Sequence, residues 1–417
     1  MARILVIEDD EFQQEILQRA IGKDIGHIVV VVSSTTEALK RLLKNEEFDI
    51  FWVDKNLLPG DLSGIEFISI LRKMNIHKPV VVNTGFPNQK DLLELMGLDV
   101  RVIIQKPARS SLMKKAIKVA LQMGKGNTIN LTKDCGDEDV IRHLFQRDPN
   151  MGGGSFEVIS IQNPNDLSVC ISIQAGGCAI GCGFCVTGHI SGSKIINLTF
   201  ADLRNSIKIT EIMRGYEKKP VTVLFQGMGE PLYNLDTVMN FMEASSKRRK
   251  FRLSTAFPSV KLFRKFREMV RNSEKIRSQL EQVQISVHFP NDELRKKHMP
   301  FAGNVLIKEI LSEAELFFAE TGIEVCFNYA VFQGINDSEE ILWQWVELLN
   351  GKNIILRPTS ANPFRAYRPV SRERMDEIRI FLVKGYVNCK EVFFSRGIKN
   401  EAACGKLAAK IRIGRKK

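Results

Sequence analysis

The stretch QAGGCAIGCGFC, residues 174–185, places three cysteines at the spacing C-x3-C-x2-C: Cys178, Cys182 and Cys185. Thiolates hold iron-sulfur clusters, and three of them leave one iron of a 4Fe-4S cluster open to another molecule. The intervening glycines let the backbone wrap closely around such a group. A zinc site is the alternative, but the sequence has no fourth ligand at zinc-finger spacing. We therefore predict a 4Fe-4S cluster at these cysteines.

Composition describes an ordinary globular protein. The chain has 417 residues, of which 44% are hydrophobic and 26% charged, and this length predicts two or three domains. No apolar run reaches membrane-spanning length, and the first residues lead directly into a strand-like segment, so we expect a cytoplasmic protein. The net charge is +12, and residues 1–124 contribute only +1 of it. The basic remainder favours a polyanionic partner such as nucleic acid over a merely solvated surface.

The first 124 residues alternate short β-branched runs with amphipathic stretches. This pattern predicts a doubly wound α/β fold with a parallel sheet, in which ligands bind at the carboxyl ends of the strands. The predicted strands are Ile4–Ile7, Ile28–Val32, Ile50–Val53, Val80–Val82 and Val102–Ile104.

Polar residues follow four of these predicted strands. Glu8 and Asp9 follow the first, Asp54 the third, Thr84 the fourth and Lys106 the fifth. Three converging carboxylates predict a hard cation with oxygen ligands, and Mg²⁺ fits best. A carboxylate surrounded by a cation, a hydroxyl and an ammonium can also accept a phosphoryl group.

The sequence around these residues resembles the receiver domain of bacterial response regulators, which has a flavodoxin-like (βα)5 fold. The segments that carry the resemblance are ILVIEDDE, FWVDKNLLPGDLSG, VVNTGF and IIQKPA. The resemblance implies a histidine kinase or phosphotransfer protein as partner. Ile103 stands where the family usually has an aromatic switch residue, which predicts a different relay of the signal. The implied roles are Asp54 as phosphoacceptor, Glu8, Asp9 and Asp54 as Mg²⁺ ligands, and Thr84 and Lys106 as contacts of the phosphoryl group.

A change of character after residue 124 suggests a domain boundary. We interpret residues 1–124 as the receiver domain, 125–155 as a linker and 156–417 as a second domain. Within the linker, EDVIRHLFQRD, residues 138–148, predicts one short helix. In the second domain, strand-like runs alternate with helical patterns such as DSEEILWQWVELLN, which predicts a complete or partial parallel (βα) barrel. These runs are Val221–Phe225, Gln282–Val287, Val325–Val331 and Ile354–Leu356.

Polar residues also stand where the barrel strands end. Gly229 and Glu230 follow the strand in VTVLFQGMGEPLYN, where backbone can approach a ligand and a carboxylate can accept hydrogen bonds from an ammonium group. A serine or asparagine in such a place is usually only a turn or a helix cap, but four polar strand ends on one barrel face favour a binding site. The other strand-end residues are Ser254, Ser286, His288 and Asn336.

Two further thiols and a carboxylate complete the pattern. Cys404 lies in RGIKNEAACGKLAAK, Cys170 lies eight residues before the cluster motif, and Glu157 lies in GGGSFEVISI. Together with GMGEP, SVHFPND, GIND and ANPF, these segments resemble the dual-specificity RNA methyltransferase family, radical S-adenosylmethionine (SAM) enzymes that methylate adenine in ribosomal and transfer RNA. The likeness runs from about Glu157 to Ala408. In place of the family's glycine-containing segment, AFPS follows Ser254.

The resemblance implies a 4Fe-4S cluster, SAM, an RNA substrate and an external electron donor such as flavodoxin or ferredoxin. The residues that would contact SAM are Gly229, Glu230, Ser254, Ser286, His288 and Asn336. Cys404 would carry a methyl group that is activated by hydrogen abstraction and then adds to an adenine ring carbon. Glu157 would deprotonate the adduct, and attack of Cys170 on Cys404 would release the product with a transient disulfide.

Two other functions stay open. The receiver stands in place of the family's own RNA-binding accessory domain, so the same radical chemistry could act on a non-RNA substrate. The second domain could alternatively bind cluster and SAM without turnover, as a signalling module. We expect, first of all, a phosphorylation-regulated enzyme acting on RNA.

Overall fold

The computed structural model describes most of the chain. The described residues are 1–23, 26–58, 60–85, 91, 94–95, 98–100, 102–122, 129–136, 139–147, 152–189 and 194–394. Cys404 lies outside them.

The chain divides into two compact units. The first comprises Met1–Asp134, His143–Gly154 and Arg204–Glu217. The second comprises Cys135–Arg142, Ser155–Leu203 and the described residues from Lys218 onward. Each unit is built on parallel strands, as predicted for an α/β protein.

The sheet of the first unit has the strand order β2-β1-β3-β4-β5-β6, and each pair of neighbouring strands is parallel. The strand order 2-1-3-4-5 is that of a flavodoxin-like fold, so this prediction is confirmed. The strands are β1 Arg3–Ile7, β2 Ile28–Val32, β3 Ile50–Asp54, β4 Val80–Thr84, β5 Val102–Gln105 and β6 Ile129–Gly136.

The second unit contains a mostly parallel sheet with the order β8-β9-β12-β13-β14-β15-β16, in which only β8 and β9 are antiparallel. β10 and β11 form a separate antiparallel pair. The remaining strands are β7 Val140–Arg147, β8 Ser155–Gln162, β9 Leu167–Ile171, β10 Gln174–Ala175, β11 Ile196–Asn197, β12 Val221–Phe225, β13 Arg249–Thr255, β14 Leu280–Ser286, β15 Glu324–Val331 and β16 Ile355–Ser360.

The α-helices follow the strands as expected for alternating β and α segments. They are α1 Glu11–Leu17, α2 Thr35–Leu43, α3 Gly64–Lys73, α4 Ser110–Gln122, α5 Phe200–Arg214, α6 Leu235–Ala244, α7 Val260–Asn272, α8 Glu274–Gln279, α9 Asp292–His298, α10 Ile307–Thr321, α11 Glu339–Leu349 and α12 Arg372–Lys384. A π-helical segment spans Gln18–Lys23, and 3₁₀ turns span Val186–His189, Pro231–Asn234 and Ala302–Asn304.

Local sequence explains several of the helix boundaries. The Ser63 hydroxyl accepts a hydrogen bond from the Glu66 amide while the Glu66 carboxylate accepts one from the Ser63 amide, a reciprocal cap that starts α3. Gly322 ends α10 with φ +69°, a left-handed conformation that glycine adopts without steric cost. Among the described residues, no helix combines the length and apolarity needed to cross a membrane.

The short helix predicted for residues 138–148 is wrong. Val140–Arg147 forms strand β7, whose Val140 packs against Ile159 of β8, while the Ser160 hydroxyl donates to the Ile141 carbonyl. The segment VIRHLFQR has apolar residues at spacings that suit either period, and pairing with other strands decides between them.

Apolar packing fixes each sheet against its helices. In the first unit the switch-position residue Ile103 is buried in the core beside Val82, which gives this strand an aliphatic rather than an aromatic side chain there. In the second unit, Phe266 of α7 and Phe317 of α10 stack with ring centroids 5.5 Å apart. Packing of this kind leaves the carboxyl ends of the parallel strands for polar side chains.

Candidate functional sites

The strand ends of the first unit bring the predicted receiver residues together. The Lys106 ammonium donates to both oxygens of Glu8 at 2.9 Å and to Oδ2 of Asp54 at 2.7 Å. Burial works to lower the pKa of Lys106, but these hydrogen bonds outweigh it and the pKa is raised. Burial also raises the pKa of Glu8 to about 7, against the lowering effect of Lys106.

This pocket has the donor set for a hard cation. One carboxylate oxygen from each of Glu8, Asp9 and Asp54 lies within 4.8 Å of the others. Three close carboxylates repel one another, and oxygen ligands of this number suit Mg²⁺. Thr84 is fully buried, and its hydroxyl has no hydrogen-bond partner among the described residues. A buried hydroxyl without a hydrogen-bond partner can donate a hydrogen bond to an incoming oxyanion.

Asp54 itself is held by its own loop. Its Oδ1 accepts a hydrogen bond from the Asn56 amide at 3.0 Å, and Lys106 holds Oδ2. A Cβ on Gly64 would lie 2.1 Å from the Asp54 carbonyl oxygen, so only glycine allows α3 to begin this close to the aspartate.

In the second unit, the three motif cysteines lie on one loop after β10. The Cys178 amide donates to the Thr187 carbonyl, and the Gly183 amide donates to the carbonyl of His298. Gly181 adopts φ +65°, which allows the tight turn between the first two cysteines. The loop is therefore fixed at both ends by backbone hydrogen bonds.

An apolar cage surrounds this loop. Buried side chains including Phe289, Met299 and Phe332 pack against Cys178 and Cys182. Burial raises the pKa of Cys178 to about 12 and that of Cys182 well above its ordinary value. Burial thus favours the protonated forms of these two thiols in the protein alone, whereas an iron-sulfur cluster binds cysteines as thiolates.

Arg295 of α9 is a buried cation beside this cage. Its guanidinium donates to the carbonyls of Ser286 at 2.9 Å, Val287 at 3.0 Å and Ala256 at 2.7 Å. Burial lowers the pKa of Arg295 to about 10, which still leaves it charged. Its positive charge lowers the pKa of Cys182 and of Glu230, and so favours their ionised forms.

A cavity of about 800 Å³ opens beside the cysteine loop and holds most of the predicted SAM contacts. Its walls come from the loop and from the carboxyl-terminal parts of the parallel strands. The predicted residues that line it are Cys178, Cys182, Cys185, Gly229, Glu230, Ser254, Ser286 and His288.

Glu230 is buried, and three hydrogen bonds orient its carboxylate. It accepts from the Leu232 amide at 3.0 Å, the Thr255 hydroxyl at 2.6 Å and the Ala256 amide at 2.7 Å. Burial nevertheless raises its pKa to about 7. Because a carboxylate has about four acceptor positions, one remains for a donor in the cavity, such as an ammonium group.

His288 presents a neutral imidazole to the cavity. Its Nδ1 accepts a hydrogen bond from the Ala330 amide at 3.0 Å, and its ring meets Phe184 edge-on. Burial lowers the pKa of His288 to about 3. With Nδ1 as acceptor, the proton of the neutral ring resides on Nε2, which makes that atom a hydrogen-bond donor.

Glu157 and Cys170 lie on adjacent strands of this sheet. Cys170 pairs directly with Ile159 on one side and with Leu224 on the other, and Leu224 lines the cavity. Directly paired residues, and residues two apart on a strand, point to the same face. Glu157, two residues before Ile159, therefore shares the cavity-facing side of the sheet with Cys170. Its carboxylate lies 3.5 Å from the buried guanidinium of Arg142.

Comparisons with known proteins agree with this arrangement. The family model for the response regulator receiver domain matches residues 4–118, and that for the radical SAM superfamily matches residues 173–345. "Ribosomal RNA large subunit methyltransferase N" of Nitrosopumilus maritimus is 31% identical over 293 residues, which cover 69% of this chain and 78% of that protein. The chain belongs to the RlmN family of RNA methyltransferases. It is a radical SAM methyltransferase with a receiver domain at its amino-terminal end.

Other relatives support the same assignment. "Probable dual-specificity RNA methyltransferase RlmN" of Dictyoglomus turgidum is 29% identical over 66% of this chain and 77% of that protein. A crystal structure of a radical SAM methyltransferase from Sphaerobacter thermophilus matches with a TM-score of 0.60 at 24% identity, covers 73% of this chain and 86% of that chain, and shows the common fold. Membership in the radical SAM superfamily implies a 4Fe-4S cluster and SAM, and the cysteine loop and cavity fit both.

Asn336 does not line the cavity of this RlmN-family chain. Its amide donates to the carbonyls of His288 and Ala330, each at 2.9 Å, its Oδ1 accepts from the Phe332 amide, and its own carbonyl accepts from the Tyr329 hydroxyl. It thereby holds His288 in place. Direct contact of Asn336 with SAM stays a prediction.

Phe257 occupies the AFPS segment in which the RlmN-family pattern has a glycine. It adopts φ +57°, a left-handed conformation that is unfavourable for a bulky side chain. Its ring packs on Phe263 with centroids 4.5 Å apart, and its amide donates to the Thr255 hydroxyl. These contacts offset the backbone strain next to Glu230.

Replacing Arg295 with methionine tests its structural role in this RlmN-family protein. The change leaves three carbonyls without their buried donor, so we expect a loss of about 3 kcal/mol in the free energy of unfolding. We also expect less iron per chain after reconstitution. Urea unfolding and iron analysis measure both, with the exposed neighbour changed in Lys296→Met as control. Unchanged stability and iron content in Arg295→Met would contradict this role.

The depressed pKa of His288 predicts a pH effect on stability. The unfolded chain binds a proton at His288 as pH falls below 6.5, whereas the folded protein does not until about pH 3. The contribution of His288 to stability is therefore fully present above pH 6.5 and is lost at up to about 1.4 kcal/mol per pH unit below it. His288→Asn, which tolerates the observed φ of +60°, removes this slope. Urea titrations from pH 4.5 to 7.5 should show the difference, while exposed His77→Asn keeps the wild-type slope.

Proposed function

We propose that this protein methylates an adenine ring carbon in RNA through a methylated Cys404, and that phosphorylation of Asp54 modulates the reaction. The observation that supports the chemistry best is the cavity-facing side of the second unit's sheet. It carries Cys170 on β9, next to β12 with the cavity residue Leu224, and Glu157 on β8, on the other side of β9. A base and a second thiol beside a SAM cavity are what methyl transfer through a cysteine requires.

The chain's own residues divide the work. Cys178, Cys182 and Cys185 would hold the cluster, and the Glu230 carboxylate and the Nε2 proton of His288 would orient SAM by hydrogen bonding. When bound, cluster and SAM supply a carbon radical able to remove a hydrogen atom from the methyl group of Cys404. Glu157 would then accept a proton from the adenine adduct.

Release of the product is assigned to Cys170. Attack of the Cys170 sulfur on Cys404 forms a disulfide and breaks the sulfur–carbon bond to the base. The two-electron oxidation of the sulfurs is balanced at the methylene carbon, which keeps the bonding pair and takes up a proton to become the methyl group. Burial raises the pKa of Cys170 to about 12, so the thiol is a poor nucleophile until a base takes its proton. Glu157, which shares the sheet face of Cys170, stays assigned to the proton of the adenine adduct.

The basic charge of the chain supports RNA as the substrate. Residues after 124 carry nearly all of the net charge of +12. An adenine must be unstacked for its ring carbon to enter a cavity, so a loop nucleotide is the expected target.

Peptide mass spectrometry at Cys404 tests this proposal. After anaerobic incubation with SAM, we expect one added methyl group on the Cys404 peptide. With RNA present, Cys170→Ala should accumulate a covalent protein–RNA adduct at Cys404, because release is blocked while adduct formation is not. Cys389→Ala, at a half-buried thiol outside the cavity, is the matched control and should form no adduct.

The outcomes separate the alternatives. A methylated Cys404 without any RNA adduct in Cys170→Ala favours a non-RNA substrate. An unmethylated Cys404 beside an intact, SAM-binding cluster favours a signalling module without turnover.

The receiver pocket generates a separate prediction. Acetyl phosphate with Mg²⁺ should phosphorylate the wild-type protein at Asp54, and Asp54→Asn should abolish the label. Thr84→Ala should slow labelling about tenfold or more, because the buried hydroxyl no longer stabilises the transferred group. Intact-mass spectrometry measures the label, and Ser63→Ala at the cap of α3 serves as control. Equal methylation rates with and without the Asp54 label would contradict the regulatory part.

A further inference from the structure

The outer side of the cysteine loop carries an exposed aromatic residue. Phe301 is 60% exposed, yet its ring edge lies against Gly181, within 3.5 Å of where a Cβ on that glycine would be. Gly181 lies between Cys178 and Cys182. Because it has no side chain, the Phe301 ring packs directly on the backbone of the cysteine loop there. A large apolar side chain exposed at such a point marks a contact surface.

Two segments are tied to the loop against which Phe301 packs. Residues 296–301 reach it through the His298 carbonyl, which accepts from the Gly183 amide at 2.9 Å. Residues 364–368 reach it through Tyr367, whose hydroxyl would lie 2.5 Å from a Cβ on Gly183 and is hydrogen-bonded to His298 Nδ1 at 2.7 Å. These contacts bring both segments to the outer side of the loop.

Charge on these two segments has one sign. They contain no aspartate or glutamate. Their four cations are all exposed: Lys296, Lys297, Arg365 and Arg368. We call Phe301 and these four cations the loop patch.

The loop patch lies outside the cavity. The cavity is lined by the cysteines themselves and by Phe184, Met299 and Phe364, whereas none of the five loop-patch residues lines it. The two segments reach the cavity wall through Met299 and Phe364, and Arg365 stacks on the Phe364 ring, but the five patch side chains are not part of that wall. A base held in the cavity therefore needs no contact with the patch, whereas a protein docked on Phe301 would lie against the backbone of the cysteine loop at Gly181.

We propose that the loop patch is the docking surface for an acidic one-electron carrier protein that reduces the cluster. This inference rests on the radical chemistry of the proposed function. One electron would pass from the reduced carrier to the oxidised cluster, so the carrier is oxidised by one electron while no covalent bond forms or breaks. Electron-transfer contacts are small and transient, and opposite charges around an apolar centre speed their formation.

Binding of a flavodoxin, a small acidic flavin protein, tests the proposal. We compare the full-length wild-type protein with Lys296→Glu/Lys297→Glu by isothermal titration calorimetry at low salt. We expect the charge-reversed variant to bind about tenfold more weakly or worse, and the difference to shrink as salt is added. Lys261→Glu/Lys384→Glu makes the same change in net charge at exposed sites on α7 and α12, and should bind as the wild type does.

A rate measurement isolates electron transfer from folding. Stopped-flow absorbance should show reduction of the reconstituted cluster by reduced flavodoxin slowed about tenfold in the charge-reversed variant and slowed in Phe301→Ala. Dithionite, which needs no docking, should reduce all variants equally. Lys296→Gln/Lys297→Gln covers the case in which glutamates at the end of α9 impair folding, and it should show a smaller loss of the same sign.

Three results would overturn the proposal. The first is an unchanged flavodoxin affinity and reduction rate in the charge-reversed variant. The second is an equal loss of flavodoxin affinity in the α7/α12 control. The third is a charge-reversed variant that loses affinity for a transfer RNA probe but still binds flavodoxin, which would assign the loop patch to RNA. Failure of the proposed function is distinguishable, because an unmethylated Cys404 leaves the binding and rate measurements interpretable.

Discussion

The active cavity of the second unit depends on one buried guanidinium. Arg295 donates to backbone carbonyls of Ala256, Ser286 and Val287, which stand at the carboxyl ends of β13 and β14. A buried cation held only by a carboxylate would be neutralised by it, whereas carbonyl partners satisfy its hydrogen bonds and leave its charge unbalanced. That charge favours the ionised forms of Cys182 and Glu230 in an environment that otherwise opposes ionisation. The same group therefore fixes the shape of the strand ends and the electrostatics of the site.

Both units use the same physical arrangement with opposite local charge. Parallel strands bury apolar side chains along their length and present polar ones only where they end. In the first unit, the strand ends gather carboxylates around Lys106, and burial raises the pKa of Glu8 to about 7. In the second, they gather hydroxyls, an imidazole and one carboxylate beside thiols. Each pocket therefore concentrates ionisable side chains at strand ends, carboxylates with Lys106 in the first and Glu230 with thiols in the second.

Much of this could be predicted from the sequence, because β-branched runs followed by polar residues indicate parallel strands and their carboxyl ends. Ser254, Ser286 and His288 were predicted at the cavity on this basis and line it.

Arg295 was missed because it lies in the charged segment DELRKKH, which ordinarily predicts a solvent-exposed helix. Only tertiary packing buries this one cation of the segment. Residues 138–148 were predicted as a helix because their apolar spacing suits both periods, and long-range pairing makes Val140–Arg147 a strand. Asn336 was predicted as a ligand contact, but its amide is committed to the backbone around His288.

The thinness of the cysteine loop connects the two sides of the site. A side chain at Gly183 would collide with the Tyr367 hydroxyl, and one at Gly188 would lie 2.9 Å from the Gly181 Cα. The glycines therefore let the outer segments pack directly on the backbone that carries the cysteines, while the thiols point into a cage shared with the cavity. A bulkier loop would still present three thiols, but it would move either the cavity wall or the outer surface away from them. Glycine at these positions therefore keeps both the cavity wall and the packed segments close to the three thiols.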